Sequence, residues 1–134
     1  RATLLDPMKR KQMQKGIDEL AEEGTLQLFF QPGREKDPVL GVVGALQFEV
    51  LAYRLEHEYG AKCAIDRLPY GFARWVRGVA DTKELEAGRV PMAVTDQDGH
   101  PVALIRDQWE LLRLTRDNTK WEFLETAPMG PATV

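Results

Sequence analysis

Few side chains in this 134-residue sequence are of the kinds that do chemistry, and their spacing decides what they can do. The single cysteine, Cys63, and the two histidines, His57 and His100, are the candidate metal-ligating or nucleophilic set. Hydrophobic patterning puts His57 on a charged helix face, His100 in a turn and Cys63 in a strand. They therefore read as a solvated helix residue, turn filler and a small strand residue, rather than as ligands or a nucleophile with its base. The sequence contains no GxxxxGK[ST] loop to cradle phosphates, no GxGxxG after a strand and no HExxH helix. The carboxylate pairs Glu22-Glu23 and Glu56/Glu58 lie near helix ends among mixed charges and read as a solvated face. The expectation is a chain with no catalytic residue, no metal site and no cofactor of its own.

Two charge features ask for a partner instead. Lys9, Arg10 and Lys11 crowd the first turn of an expected helix, with Lys15 one turn on, while Asp18, Glu19, Glu22 and Glu23 crowd its end. Both groups oppose the helix macrodipole, at about 0.3–1 kcal/mol for each exposed charge. Pairing of Lys15 with Asp18 and Glu19 would offset part of this, at about 0.2–0.5 kcal/mol per pair. The basic start is either an ordinary solvated face or a contact for a phosphate backbone. The second feature runs from Arg67 to Arg77, where Arg67, Arg74 and Arg77 interleave with Tyr70, Phe72 and Trp75. Such interleaving can stack bases while neutralising phosphates. It also describes core aromatics with arginines reaching out to water. Tyr70-Gly-Phe-Ala matches part of an aromatic RNA-recognition signature, yet Arg74 stands where that signature has a second aromatic, and the run follows the second helix instead of preceding it.

The elements that position these residues follow from periodicity. Residues 2–5 form a short apolar run, and Asp6 and Pro7 suit the N-cap and first position of a helix. Met13, Ile17, Leu20 and Ala21 continue it at helical spacing until Gly24. Leu26, Leu28 and Phe30 alternate as a strand, and residues 39–43 make a second strand after a polar turn. Phe48, Leu51, Ala52, Leu55 and Tyr59 share one face of a helix over 46–59, ended by Gly60. Residues 61–68 and 71–79 read as extended, with Pro69 between them. Asp81 with Glu84, and Asp107 with Glu110, have capping-box spacing. Strands over 92–95 and 102–106 flank the Asp98-Gly99 turn, and a last strand covers 121–125.

This order implies an α+β fold: a ferredoxin-like split βαβ sandwich with an antiparallel sheet over residues 1–79, extended by a less regular α/β half over 80–126 and a flexible tail over 127–134. A hydrophobic content of 43% can build one such domain without staples. The net charge of −3 argues against a surface that coats nucleic acid throughout. One cysteine and no apolar run near the roughly 20 residues that span a bilayer imply a reducing, cytoplasmic setting without a membrane partner. A start at Arg1 reads as an excised piece or a processed product.

Three runs carry a resemblance: DPMKRKQMQKGIDELAEEGTLQLFF over 6–30, VVGALQFEVLAYRLEHEYGAKCAI over 42–65, and ARWV over 73–76. Together they resemble the third domain of bacterial peptide chain release factor 3, a class-II release factor and translational GTPase. The likeness covers most of the chain to about residue 79 and continues more loosely to 125. The passage with Gly41, Gly44, Leu46 and Glu49 is also similar to the strand-to-helix turn of elongation factor G, where glycine permits the sharp turn. The resemblance implies a GTP-binding domain and a β-barrel domain upstream, with GTP and magnesium bound there and not here. It implies ribosome binding, ribosomal RNA included, and GTP-dependent release of the class-I factor at termination. Charge, and not a family motif, nominates Lys9, Arg10, Lys11 and Lys15, with Arg67, Arg74 and Arg77, as the residues that touch RNA. The alternatives are a stand-alone RNA-binding domain and a small-ligand regulatory domain.

Overall fold

Apolar residues at i, i+3, i+4 and i+7 make α1 (Arg10–Glu22) a helix with one inward face: Met13, Gly16, Ile17 and Leu20 are buried. The computed structural model describes residues 2–4, 7–24, 26–35, 37–42 and 46–128 of the chain. The expected Asp6 cap, the Gly44 turn and the tail from residue 129 lie outside them. A 3-10 turn, Pro7–Lys9, leads into α1, and Lys9 stands at its N-cap without a side-chain hydrogen bond. The chain divides into two compact units, Arg1–Phe29 with Arg34–Leu68, and Phe30–Gly33 with Pro69–Val134.

In the first unit α1 packs on α2 (Leu46–Tyr59), whose buried residues are Leu51 and Leu55. Gly16 is the point of closest approach. A Cβ built there would lie 2.8 Å from two carbons of the Tyr59 ring and 2.9 Å from Leu55 Cδ2. A glycine inside a helix costs about 1 kcal/mol relative to alanine, and here the absent side chain is what lets the helices close. The helix ends are tied as well. Arg54 of α2 forks onto Glu23 at 3.0 and 3.4 Å and donates to Glu58 at 2.8 Å, while the Tyr59 hydroxyl donates to Glu19 at 2.6 Å. At the end of α2, Gly60 adopts a φ of 69° and the Ala61 N–H reaches back to the Leu55 carbonyl, the left-handed closure expected of glycine there.

Strand β1 (Ala2–Leu4) pairs antiparallel with β4 (Cys63–Ile65), with Ala2 opposite Ile65 and Leu4 opposite Cys63. Strand β2 (Gln27–Phe29) pairs antiparallel with β3 (Val39–Gly41), with Phe29 opposite Val39. In the order β-α-β-β-α-β these are two of the three antiparallel pairings that join a split βαβ sheet, and the central one, β1 with β3, does not form among the described residues. Each strand contributes three residues, and the ladders form two two-stranded sheets instead of one continuous sheet. The fold class is α+β, as expected.

The second unit is a four-stranded antiparallel sheet in the order β6-β7-β5-β8, formed by β5 (Phe72–Arg77), β6 (Met92–Thr95), β7 (Pro101–Ile105) and β8 (Glu122–Leu124). Strand β5, expected to close the first half at residue 79, instead pairs with β7 and β8 here. Its partners come later in the chain, so spacing up to residue 79 held no sign of them. Val76, Leu85, Ala103, Ile105 and Leu114 build the core between this sheet and the helices α3 (Thr82–Ala87) and α4 (Gln108–Asp117). Trp75, Val94, Val102 and Leu104 belong to the alternate residues of the strands and are buried too, which is why β7 reads as an unbroken apolar run.

Both expected caps form. The Asp81 carboxylate accepts the Glu84 N–H at 3.1 Å and Asp107 accepts that of Glu110 at 2.8 Å. Glu110, itself buried, accepts from the Arg106 backbone N–H at 2.8 Å and from its guanidinium at 2.9 Å. That is one residue further out than the reciprocal box.

Gly16→Ala tests the helix contact. Intrinsic propensity favours alanine by about 1 kcal/mol, whereas forcing a methyl into a packed contact costs typically ~1–3 kcal/mol. Urea unfolding is expected to show a net loss of stability; a gain would mean that the helices do not need the glycine.

Candidate functional site

The basic start of α1 is the candidate interface, and its geometry follows from helical spacing. Lys11 and Lys15 stand one turn apart, both exposed, on the side away from Met13, Gly16, Ile17 and Leu20. Lys9 and Arg10 at the helix start are half-buried. The first turn of α1 holds no acidic residue and its last turn no basic one, so the charge order inferred from the sequence stands against the dipole. The expected offset by Lys15 is not what forms. Asp18 accepts from Gln14 at 2.9 Å, and Glu19 accepts the Tyr59 hydroxyl. Among the described residues no carboxylate pairs with Lys9, Lys11 or Lys15.

The acidic end has a different fate. Glu23, read from the sequence as part of a solvated face, is held by Arg54, and Glu58 shares that guanidinium. Hydrogen bonds to Glu23, then Glu58, raise the Arg54 pKa further above its ordinary value. The Glu19 carboxylate pushes the Tyr59 phenol up to about 12. Sequence spacing could not foresee the links to Glu23 and Glu19, because both run from α2 to the end of α1.

The interleaved segment from Arg67 to Arg77 is divided between the two units, at Leu68 and Pro69. Arg67 belongs to the first, where its guanidinium lies 5.9 Å from the centre of the Phe48 ring. Arg74 and Arg77 belong to the second. Arg74 lies over the Phe72 ring at 5.1 Å, donates to the Ala73 carbonyl at 3.0 Å and approaches Glu125 at 3.8 Å. Arg77 pairs across the ladder with Glu122 at 3.4 Å. Trp75 is buried and Phe72 packs on the core. The arrangement is that of core aromatics flanked by paired arginines, without a row of exposed rings.

Trp75 also leads to a residue that the sequence reading missed. Its Nε1 donates to Asp96 Oδ2 at 2.9 Å, and Asp96 Oδ1 accepts the backbone N–H groups of Asp98 and His100, both at 2.9 Å. His100 Nδ1 lies 3.0 Å from Asp96 Oδ2. A carboxylate only accepts, so that bond requires a proton on Nδ1. His100, expected as turn filler, is instead buried and hydrogen-bonded. The D-x-D-G-H run was the available signal, since Asp commonly bonds the backbone two residues on. Burial by itself would raise the Asp96 carboxyl; the bonds from Trp75 and His100 outweigh it and hold the group below its usual value.

These residues define what chemistry the chain offers. Asp96, Asp98 and His100 each bring a ligand atom to within 4.8 Å of the others, but both Asp96 oxygens already accept from the protein. Their arrangement is a loop closed by its own hydrogen bonds. Cys63 bonds the Ala61 carbonyl at 3.5 Å, and burial pushes its thiol up, away from a reactive thiolate. His57 is exposed on α2, stacked on Tyr53 with ring centres 4.2 Å apart. No helix among the described residues is long and apolar enough to cross a membrane.

Comparison with known proteins adds a second line. Residues 1–115 match the model of the family described as Class II release factor RF3, C-terminal domain. Over 129 residues the chain is 46% identical to Peptide chain release factor 3 of Symbiobacterium thermophilum, which covers 95% of this chain and 24% of that protein. It is 44% identical over 128 residues to Peptide chain release factor 3 of Gloeothece citriformis, covering 93% of this chain and 24% of the relative. The protein of the same name from Nostoc punctiforme is 42% identical over 127 residues, covering 92% of this chain and 23% of the relative. The chain thus spans about a quarter of the length of the curated relatives it matches.

Replacing Asp96 with asparagine tests the loop. An amide nitrogen in place of Oδ2 takes the acceptor from both ring donors, Trp75 Nε1 and His100 Nδ1, and one in place of Oδ1 takes it from the backbone N–H groups of Asp98 and His100, so a loss of about 1–3 kcal/mol is expected at neutral pH. Because the folded carboxyl is held below its unfolded value of about 3.9, its contribution is complete above that pH and fades as pH falls through the folded value. Urea unfolding of both proteins across the acid range is expected to show the gap narrowing below about pH 4; a gap independent of pH would show that the carboxylate charge contributes nothing.

Proposed function

The chain belongs to the family of class II release factor RF3 C-terminal domains, and from that premise we propose that it is the ribosome-engaging part of a translational GTPase. In the full-length factor, GTP with magnesium is bound upstream, and GTP-dependent action releases the class-I factor during termination in the cytoplasm. This chain supplies contacts, both to the ribosome and to the upstream GTPase and β-barrel domains, and no chemistry of its own. The release-factor relationship is direct, from 46% identity over 129 residues. The docking role rests on one structural observation: Lys11 and Lys15 project from α1 without a carboxylate partner among the described residues. Two such lysines one turn apart are suited to a phosphate backbone, here ribosomal RNA, and at Lys11, in the first turn, charge and dipole have the same sign.

The rival reading, a stand-alone RNA-binding domain, would use the segment from Arg67 to Arg77. Burial of Trp75 and pairing of Arg74 and Arg77 weigh against it. Base stacking needs exposed ring faces.

Lys9→Glu with Lys11→Glu separates folding from function. The double variant is expected to gain stability, by about 0.3–1 kcal/mol per position, because the new carboxylates suit the dipole. Its affinity for ribosomes should fall, with the slope of log affinity against log salt shallower by roughly 1–2. Undiminished binding would remove the first turn of α1 from the interface. Tight binding of the unaltered chain to short single-stranded RNA without ribosomes would favour the rival.

A further inference from the structure

The outer side of α2 carries an apolar stripe that neither the fold nor the reading above uses. Leu46, Val50 and Tyr53 follow one another at i, i+4 and i+7, and His57 continues the line at i+11 with its ring stacked on Tyr53. The three lie on the opposite side of the helix from Leu51 and Leu55, and they are 73%, 46% and 63% exposed. A helix that buries one face normally presents charge on the other. Here the second face is apolar as well, and a line of large apolar side chains in water marks a binding surface.

Its borders identify the occupant. Glu49 and Glu56 run along one side, both exposed. On the other side the one arginine of α2, Arg54, is held by Glu23 and Glu58. The rim is therefore acidic, with its cation neutralised. A phosphate polymer would be repelled, whereas an apolar strip bordered by lysine or arginine would be matched in both core and rim. We propose that the outer face of α2 docks a basic protein segment, which lays apolar side chains along Leu46, Val50 and Tyr53 and sets its cations against Glu49 and Glu56. This surface is distinct from Lys11 and Lys15 and does not depend on what they bind.

The test uses the 134-residue chain and a labelled synthetic helical peptide with leucines at helical spacing bordered by lysines, followed by fluorescence anisotropy. Saturable binding is expected, weakened about tenfold or more by Tyr53→Ser, by Leu46→Ser, and by Glu49→Lys with Glu56→Lys. The same peptide bordered by glutamates should not bind. Trp109→Ser, at an 80% exposed position on α4, should leave affinity unchanged. Unaltered far-ultraviolet circular dichroism and melting would establish that the variants remain folded, and the two serine variants act independently should one fail to fold. Equal affinity for the two peptides, no binding to either, binding of oligouridine abolished by Tyr53→Ser, or self-association abolished by Val50→Glu would each overturn the proposal.

Discussion

A helix whose charges run against its own dipole needs something outside itself at each end, and in this protein the two ends of α1 are treated differently. At the acidic end α2 provides the remedy: Arg54 binds Glu23 and the Tyr59 hydroxyl binds Glu19. Those contacts exist only because Gly16 lets the helices approach to the distance of a missing methyl. The close approach buries Leu20 and Leu55 completely, and hydrophobic burial of this kind, not the exposed ion pairs, supplies most of the stabilisation. At the basic end Lys11 and Lys15 receive no such remedy among the described residues. The asymmetry is what gives the functional reading its physical basis.

The second unit is organised by polar closure as much as by its core. Asp96 gathers a ring donor, two backbone donors and an imidazole around one carboxylate. It fixes the β6–β7 connection and anchors Trp75, so the most conspicuous aromatic of the basic-aromatic segment is committed to structure. Arg74 and Arg77 have acidic neighbours at the two ends of β8, Glu125 just past its last residue and Glu122 at its first. Residues that looked like a recognition surface in one dimension are thereby absorbed into the sheet. The same unit exposes Trp109 and Leu112 on α4, which periodicity did not single out.

The first unit thus bears surfaces of opposite character. The start of α1 is cationic and polar, while the outer face of α2 is apolar with an acidic rim. Both suit binding, which requires complementary surfaces.

How much of this was legible in the sequence depended on how local each interaction is. Helical spacing of Met13, Ile17 and Leu20, the caps at Asp81 and Asp107, and the left-handed glycine at Gly60 all act within a few residues, and each could be read directly. So could the α+β class and the charge order of α1, which the structure leaves in place. The pairing of β5 with β7 and β8, the capture of Glu23 by Arg54, and the burial of His100 against Asp96 and Trp75 were decided in three dimensions. Residues 75 and 96, or 23 and 54, share no local periodicity. Their interaction energy arises only when packing brings them within hydrogen-bond range, and a linear pattern carries no term for that distance.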